Sequence, residues 1–327
     1  MIEEMLPGLY RIEIPLPRNP LKAINCYVVE GPERTLIVDT GMNREECRTA
    51  LRSGLRELGV DPSRADLFIT HMHSDHSGLV HDLVAEGARA YCSRIDAEVI
   101  VNGTDWSRVL DRAASHGFPS EELRQVPEKH PGARYRSRGA VEFTLVGEGD
   151  LISVGEYAFR CVETPGHSVG HLCLYEPDRK ILVSGDHVLG DITPNITGWL
   201  GEEMALSRYL SSLEKVYGLD VDLVLPGHRR AFNDCKGRIR ELQAHHRERA
   251  EEALAALESG PKDAYQVAAR MSWDLTYESF DQFPVAQKWF AVGEALAHLQ
   301  YLQHEGRVRR ETVDRRTVFL IPGVHLA

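Results

Sequence analysis

Thr70-His71-Met72-His73-Ser74-Asp75-His76 is the stretch that decides the fold of this 327-residue chain. It places three imidazoles and one carboxylate within six residues, directly after the apolar run at 66–70. Imidazole nitrogen and carboxylate oxygen are ligand types that suit zinc, iron and manganese. In an extended chain, His71 and His73 point to the same side, whereas Asp75 and His76 fall where the chain turns into the next helix. The stretch therefore predicts half of a two-metal site.

Further metal-ligating side chains follow three later strands of the predicted fold. In each case an apolar strand is followed by a small or turn-forming residue and then by the ligand: Thr164-Pro165-Gly166-His167, Ser184-Gly185-Asp186 and Leu225-Pro226-Gly227-His228. Strand ends of this kind converge at one edge of a sheet, where loops commonly build active sites. We therefore expect His167, Asp186 and His228 to complete the site. Single histidines elsewhere in the chain are far more often surface or core residues, and the same holds for His187, although it adjoins Asp186 and could line the site.

Composition and charge exclude several classes of protein. A formal net charge of -11 argues against a protein that wraps nucleic acid or binds an anionic membrane. The six cysteines are scattered without a Cys-x-x-Cys pair, which favours reduced, buried thiols over a disulfide framework. We find no signal peptide and no segment long enough to span a bilayer, so a cytoplasmic location is expected.

The order of predicted elements indicates two domains. Residues 8–92 read as strands alternating with helices, which predicts an α/β fold in which sheet is layered against helices. Residues from about 95 to 140 break this rhythm and predict a helical cap insertion. We assign residues 1–238 to a catalytic domain and residues 239–327 to a C-terminal domain. The latter reads as helix, helix, helix and hairpin, an order that resembles a winged-helix module.

The ligand set resembles that of the metallo-β-lactamase-fold hydrolase superfamily over about residues 8–235. The Asp39-Thr40-Gly41 turn matches the superfamily as well. The resemblance implies a four-layer αββα fold. In relatives of the glyoxalase II type, one metal is held by the positions that match His71, His73 and His167. The other metal is held by the positions that match Asp75, His76 and His228, and the position that matches Asp186 bridges both. Asp39 is expected to hydrogen-bond the ligand loop rather than to bind metal.

The expected activity is hydrolysis at a dinuclear centre. Two divalent ions, zinc first and iron or manganese as alternatives, lower the pKa of a shared water and provide hydroxide at neutral pH. The hydroxide would attack a small acyl ester, first of all a hydroxyacylglutathione-like or acyl-CoA-like thioester, or a lactone. Asp75 is the candidate catalytic residue, since it would orient the nucleophile or transfer a proton. Asp186 stands where the commonest zinc β-lactamases carry cysteine, which disfavours antibiotic hydrolysis.

Two other functions remain as alternatives. The same ligands serve metal-dependent phosphodiesterases or endoribonucleases, and mononuclear-iron persulfide dioxygenases keep most of them. Residues 106–140 carry seven Lys/Arg against four Asp/Glu, which favours an anionic small-molecule substrate. The arginines of the C-terminal module are interrupted by acidic residues, so we interpret it as a structural or homodimerising element before a nucleic-acid contact.

Overall fold

The computed structural model describes residues 1–199 and 204–323, which form two compact units. The first unit comprises Met1–Thr104, Pro131–Pro194 and Ser212–Ile239, and the second comprises Asp105–His130, Asn195–Ser211 and Arg240–Ala327. The predicted cap is helical, but its central part, 105–130, belongs to the second unit. The predicted domain boundary at residue 238 stays a prediction.

Two sheets form the centre of the first unit. The larger has seven strands in chain order: β1 (Ile2–Leu6), β2 (Leu9–Pro15), β3 (Ala23–Val29), β4 (Thr35–Val38), β5 (Ala65–Phe68), β6 (Arg89–Cys92) and β7 (Phe143–Leu145). The smaller has five, in the order β12-β11-β10-β9-β8: β8 (Leu151–Val154), β9 (Tyr157–Glu163), β10 (Leu172–Glu176), β11 (Ile181–Gly185) and β12 (Leu223–Pro226). The strands β4 to β7 pair in parallel, as do β11 and β12, whereas the remaining pairs are antiparallel.

The helices of the described residues follow in chain order. They are α1 (Glu45–Glu57), α2 (Ser74–Ser77), α3 (Val80–Val84), α4 (Arg94–Asn102), α5 (Trp106–Ser115), α6 (Ser120–Leu123), α7 (Val126–Lys129), α8 (Pro131–Arg134), α9 (Ala205–Tyr217), α10 (Cys235–Ala256), α11 (Ala264–Ala268) and α12 (Val285–His304). No helix among these residues is both long enough and apolar enough to cross a bilayer.

The layering follows from which strand faces are apolar. Tyr27 and Phe68 from the larger sheet share one core with Phe159 and Leu174 from the smaller sheet. On its other face, the larger sheet packs against apolar side chains of α1, α3 and α4. Strand β3 is covered on both faces and is buried at almost every position, as expected for a strand inside a layered fold.

On the smaller sheet, the C-terminal half of α9 is tied to the end of β9. Ser212 Oγ donates a hydrogen bond to Pro165 O, and Lys215 Nζ donates to Glu163 O. The α/β prediction is confirmed, and the fold is the four-layer αββα arrangement. All six cysteines are buried and free of disulfides, as predicted.

The second unit is a helical cluster with a hairpin. Its core includes Phe118, Val267, Trp289 and Phe319. Strands β13 (Arg309–Val313) and β14 (Arg316–Leu320) pair through a turn in which Asp314 and Arg315 have φ values of 46° and 65°. Two consecutive residues with positive φ form the tight turn that suits the twist of a hairpin. The helix and hairpin order is as predicted, whereas the winged-helix assignment stays a prediction.

One strand lies outside the expectations drawn from sequence. Strand β1 (Ile2–Leu6) forms the edge of the larger sheet and pairs only with β2. It contains Glu3 and Glu4, both exposed, and the other residues are only partly buried. An edge strand of this kind lacks the clear alternation of apolar and polar residues by which strands are recognised.

Candidate metal centre

The histidine-rich stretch lies on the loop between β5 and the one-turn helix α2. His73 is the residue that precedes α2, and the amide of His76 donates a hydrogen bond to the carbonyl of His73. His71 and His73 therefore precede the helix, while Asp75 and His76 lie within it. The loop brings four candidate ligands to the end of one strand, as expected from the sequence.

His71, His73 and His167 form the first ligand group. One ligand atom of each lies within 4.8 Å of the others. His71 Nε2 lies 2.9 Å from His73 Nδ1, and the His73 and His167 rings are 4.6 Å apart. Burial lowers the pKa of His73 to about 3 and holds that of His71 well below its usual value. The imidazoles of His71 and His73 are therefore neutral, which is the form that binds a metal.

The second ligand group consists of Asp75, His76 and His228. Here too, one ligand atom of each residue lies within 4.8 Å of the others. His228 Nε2 lies 3.4 Å from Asp75 Oδ2. The other ring nitrogen of each histidine is already engaged: His76 Nδ1 with Asp39 and His228 Nδ1 with the carbonyl of Ala23. These contacts orient both Nε2 atoms towards the carboxylates.

Asp186 lies between the two groups. Its Oδ2 is 3.5 Å from His167 Nε2 and also 3.5 Å from His228 Nε2, and its Oδ1 is 3.5 Å from His76 Nε2. It therefore contacts one member of the first group and two of the second. All seven residues predicted from sequence to bind metal come together at one place.

The donor set fits a divalent cation. His76 Nε2, Asp186 Oδ1 and His228 Nε2 are buried and lack a hydrogen-bond partner in the described part of the chain. Buried polar atoms without a partner are rare because they have lost their hydration, and a cation would satisfy all three. Gly227 leaves room for the cluster, since a Cβ at this position would lie 2.7 Å from Asp186 Oδ1.

The carboxylates and imidazoles around Asp186 shift one another's pKa. Burial by itself raises the pKa of Asp186, but His228 and His76 outweigh it and hold that pKa well below its usual value. Burial lowers the pKa of His228, yet the neighbouring carboxylates of Asp186 and Asp75 raise it to about 10. Carboxylates this close favour the protonated imidazole, so a metal that binds here must displace that proton.

Asp39 supports the ligand loop from the end of β4. It adopts a positive φ of 62°, which is uncommon for a residue other than glycine. Its Oδ1 accepts a hydrogen bond from the amide of Thr70, and its Oδ2 lies 2.7 Å from His76 Nδ1. The prediction that Asp39 hydrogen-bonds the ligand loop is confirmed.

Two buried side chains next to the ligands were not predicted as part of the site. His171 Nδ1 lies 2.7 Å from Thr164 Oγ1, and His171 Nε2 accepts a hydrogen bond from the Asp186 amide. Asp96 is fully buried and hydrogen-bonds two ligand loops. Neither has a local sequence signal, because single histidines and aspartates occur throughout the chain. His187, which adjoins Asp186, is buried with its ring centroid 6.1 Å from that of His171.

The basic residues of the predicted cap are divided between the units. Arg108, Arg112, Arg124 and Lys129 lie in the second unit, whereas Arg134, Arg136 and Arg138 lie in the first and are exposed. Within the second unit, Arg112 Nε donates to the carbonyl of Gly198 and Lys129 Nζ to Gln125 Oε1.

Comparison with known proteins agrees with this architecture. Residues 20–228 match the model of the Metallo-beta-lactamase superfamily, and residues 250–319 match that of the Metallo-beta-lactamase-like, C-terminal domain. The acyl-coenzyme A thioesterase MBLAC2 of Homo sapiens is 32% identical over 219 residues, which are 64% of this chain and 74% of that protein. The atrochrysone carboxyl ACP thioesterase nsrC of Aspergillus novofumigatus is 25% identical over 266 residues, 80% of this chain and 66% of that one.

A solved structure resembles the chain over nearly all of its length. It is the metallo-beta-lactamase family protein TTHA1429 from Thermus thermophilus, with a TM-score of 0.83 and 29% identity over 97% of this chain and 100% of that one. The fold and the histidine–aspartate cluster place the chain in the class of metal-binding hydrolases. The chain belongs to the metallo-β-lactamase superfamily.

Proposed function

We propose that this protein hydrolyses small acyl thioesters at a centre of two divalent metal ions. The observation that carries the proposal is the pair of ligand groups with the Asp186 carboxylate between them. His71, His73 and His167 would hold one ion, Asp75, His76 and His228 the other, and Asp186 would contact both. Nitrogen and oxygen donors of this kind favour zinc, with iron and manganese as the alternatives.

The metal ions, when bound, supply Lewis acidity and a nucleophile at neutral pH by lowering the pKa of water. The residues of the chain supply position and charge. We assign the catalytic role to Asp75. Burial by itself raises the pKa of this group, but the contact with His228 and the charge of His76 hold the pKa below its usual value. Asp75 is therefore a carboxylate at neutral pH, able to accept a hydrogen bond from the attacking water and to orient it.

Support for a thioester substrate comes from the relatives. Two proteins similar to this chain are named as thioesterases, one acting on acyl-coenzyme A and one on an acyl carrier protein. Both kinds of acyl carrier are anionic. In the first unit, exposed Arg134 places its guanidinium carbon 5.1 Å from the Tyr135 ring centroid, and that of Arg44 lies 5.0 Å from the same ring. Positive charge held on an aromatic surface suits a phosphate or carboxylate of such a substrate.

The proposal is tested with the zinc-loaded full-length protein on acyl-CoA, acyl-glutathione, lactone and single-stranded RNA substrates. We expect turnover of at least one thioester and none of RNA. The His71→Ala variant should be inactive, while His304→Ala, which alters an exposed imidazole of the second unit, should match the wild type. Turnover of RNA alone would refute the thioester assignment. One iron per chain together with oxygen consumption would refute hydrolysis altogether.

A further inference from the structure

Asp96 is a buried carboxylate at the start of helix α4 in the first unit. Its side chain is fully buried, and the helix begins there because Ser93 Oγ accepts a hydrogen bond from the Asp96 amide. A carboxylate in such a place needs hydrogen-bond donors, since burial removes its hydration. The identity of those donors indicates what the residue does.

Among the described residues, three groups donate to this carboxylate, and each belongs to a loop that carries candidate metal ligands. Asp96 Oδ2 accepts from the amide of Met72 at 2.9 Å and from Ser168 Oγ at 2.6 Å. Asp96 Oδ1 accepts from the amide of Gly170 at 2.9 Å. Met72 lies between His71 and His73, and Ser168 follows His167 directly. One side chain therefore joins the two loops that build the first ligand group.

The close approach of the second loop depends on glycine. A Cβ at Gly170 would lie 2.7 Å from Asp96 Oδ1 and 2.2 Å from Ser93 Oγ. Real Cβ atoms do not approach other atoms so closely, so any larger residue would move the loop away from the carboxylate. The glycine at this position thus serves the contact with Asp96.

The second ligand group has different supports. His76 Nδ1 is held by Asp39, and His228 Nδ1 lies 2.7 Å from the carbonyl of Ala23. The hydrogen bonds of the Asp96 side chain go to Met72, between His71 and His73, and to the loop after His167. None of these bonds goes to helix α2, which carries His76, or to the loop that carries His228. Asp96 therefore supports the chain beside the first group, whereas the imidazoles of His76 and His228 are held from the ends of β4 and β3.

We propose that Asp96 is a positioning residue that holds His71, His73 and His167 as one preorganised set, and so sets the metal affinity of that group without setting that of the other. The proposal rests on the two-metal centre proposed above. The role of Asp96 goes beyond the proposed function, because it separates the metal affinities of the two positions. It assigns the control of one affinity to a residue that touches no metal.

The experiment measures metal affinity in the absence of substrate. Zinc is titrated into metal-free, full-length protein against a chromophoric chelator, for the wild type and for Asp96→Asn. The two binding steps are assigned with His73→Ala, which removes one ligand of the first group, and His228→Ala, which removes one ligand of the second. We expect Asp96→Asn to weaken the His71, His73 and His167 step by about 10- to 100-fold, the range typical of losing an outer hydrogen-bond partner. The other step should change by less than about 3-fold.

Asp66→Asn is the matched control. Asp66 lies on β5 of the same unit and accepts hydrogen bonds from Arg34 Nε and from Nε and Nη2 of Arg89. Its replacement removes a well-bonded carboxylate without touching a ligand loop, so both affinities should stay at the wild-type values. Ser168→Ala removes a single hydrogen bond to Asp96 and should weaken the same step by a smaller factor, which provides a readout if Asp96→Asn does not fold.

The outcomes separate this inference from the proposed function. A protein that binds two ions but hydrolyses no thioester would refute the substrate assignment and leave the role of Asp96 standing. Equal weakening of both steps in Asp96→Asn, or no change in either, would overturn the inference. Binding of a single ion by the wild type would overturn it as well, because no second affinity would then exist to be spared.

Discussion

Asp39 Oδ2 lies 2.7 Å from His76 Nδ1, and the same carboxylate accepts hydrogen bonds from the amide and the hydroxyl of Thr70. The contact fixes the imidazole so that Nε2 faces Asp186 at 3.5 Å. Carboxylate partners of this kind orient ligating histidines and raise their basicity. Asp39 has a positive φ, and the backbone turn at this residue directs its side chain to the ligand loop.

Asp39→Asn should weaken metal binding without altering the fold. Asparagine tolerates a positive φ, so the turn is expected to persist. The two carboxylate oxygens of Asp39 contact Thr70 and His76 at the same time. The amide of asparagine has only one oxygen that can accept a hydrogen bond, so it cannot replace both contacts. We expect a loss of about 10- to 100-fold in the affinity of the second ligand group, measured by competition with a chelator. An affinity equal to that of the wild type would show that the contact with His76 does not matter for ligation.

Removal of a ligand should abolish activity. We expect His71→Ala and Asp186→Ala each to reduce kcat/KM by at least about 10³-fold, because Lewis acidity supplies several kcal/mol of transition-state stabilisation. Metal content, measured on the same preparations, should fall with activity. Full activity in either variant would refute the assignment of these residues to the metal centre, and His304→Ala serves as the unaffected control.

Acid should destabilise the second unit through His298. This imidazole is fully buried on α12, its Nδ1 lies 2.8 Å from the carbonyl of Glu294, and burial lowers its pKa from 6.5 to about 4. The unfolded chain therefore binds more protons than the folded one between these values. The stabilising contribution is complete above pH 6.5 and is lost as the pH falls towards 4, by up to about 3 kcal/mol.

The measurement uses tryptophan fluorescence during urea unfolding at pH 7 and pH 5. The four tryptophans of the chain all lie in the second unit: Trp106, Trp199, Trp273 and Trp289. The fluorescence signal therefore reports on that unit. His298→Asn keeps an N–H group near the Glu294 carbonyl but does not titrate. Its free energy of unfolding should fall less between the two pH values than that of the wild type. Identical pH dependence of the two proteins would contradict the assignment.

Gly293→Ala should destabilise the same unit by overpacking. A Cβ at Gly293 would lie 2.4 Å from Trp199 Nε1, whose N–H donates to the carbonyl of Trp289. The two tryptophan rings stack with centroids 4.7 Å apart, so neither can move without losing packing. We expect a loss of about 1–3 kcal/mol in the free energy of unfolding, again followed by tryptophan fluorescence. An unchanged midpoint would mean that Trp199 can shift freely.

Much of the fold could be predicted because local patterns recur with the correct period. The β-branched and apolar run at 24–29 predicts a strand, which occurs as Ala23–Val29, and the helical spacing over 44–58 predicts a helix, which occurs as Glu45–Glu57. Residues 307–321 predict a hairpin that turns near Asp314, and the hairpin turns there. Strand β1 was missed because its pairing with β2, rather than a pattern of its own, makes it a strand. The division of the predicted cap between two units also has no local signal, since it depends on which apolar surfaces meet.

The sequence by itself determined which residues are the candidate ligands. Histidines and aspartates placed at strand ends are bound to meet once the sheets form, because the chain fixes their positions over a few residues. Only the tertiary structure decided how they are grouped and supported. The Asp96 side chain joins Met72 and Ser168, which are 24 and 72 residues away along the chain, and no spacing within a motif encodes contacts over such separations. The Thr70–His76 stretch thus supplies candidate ligands to both groups, while packing determines which residues hold each of them in place.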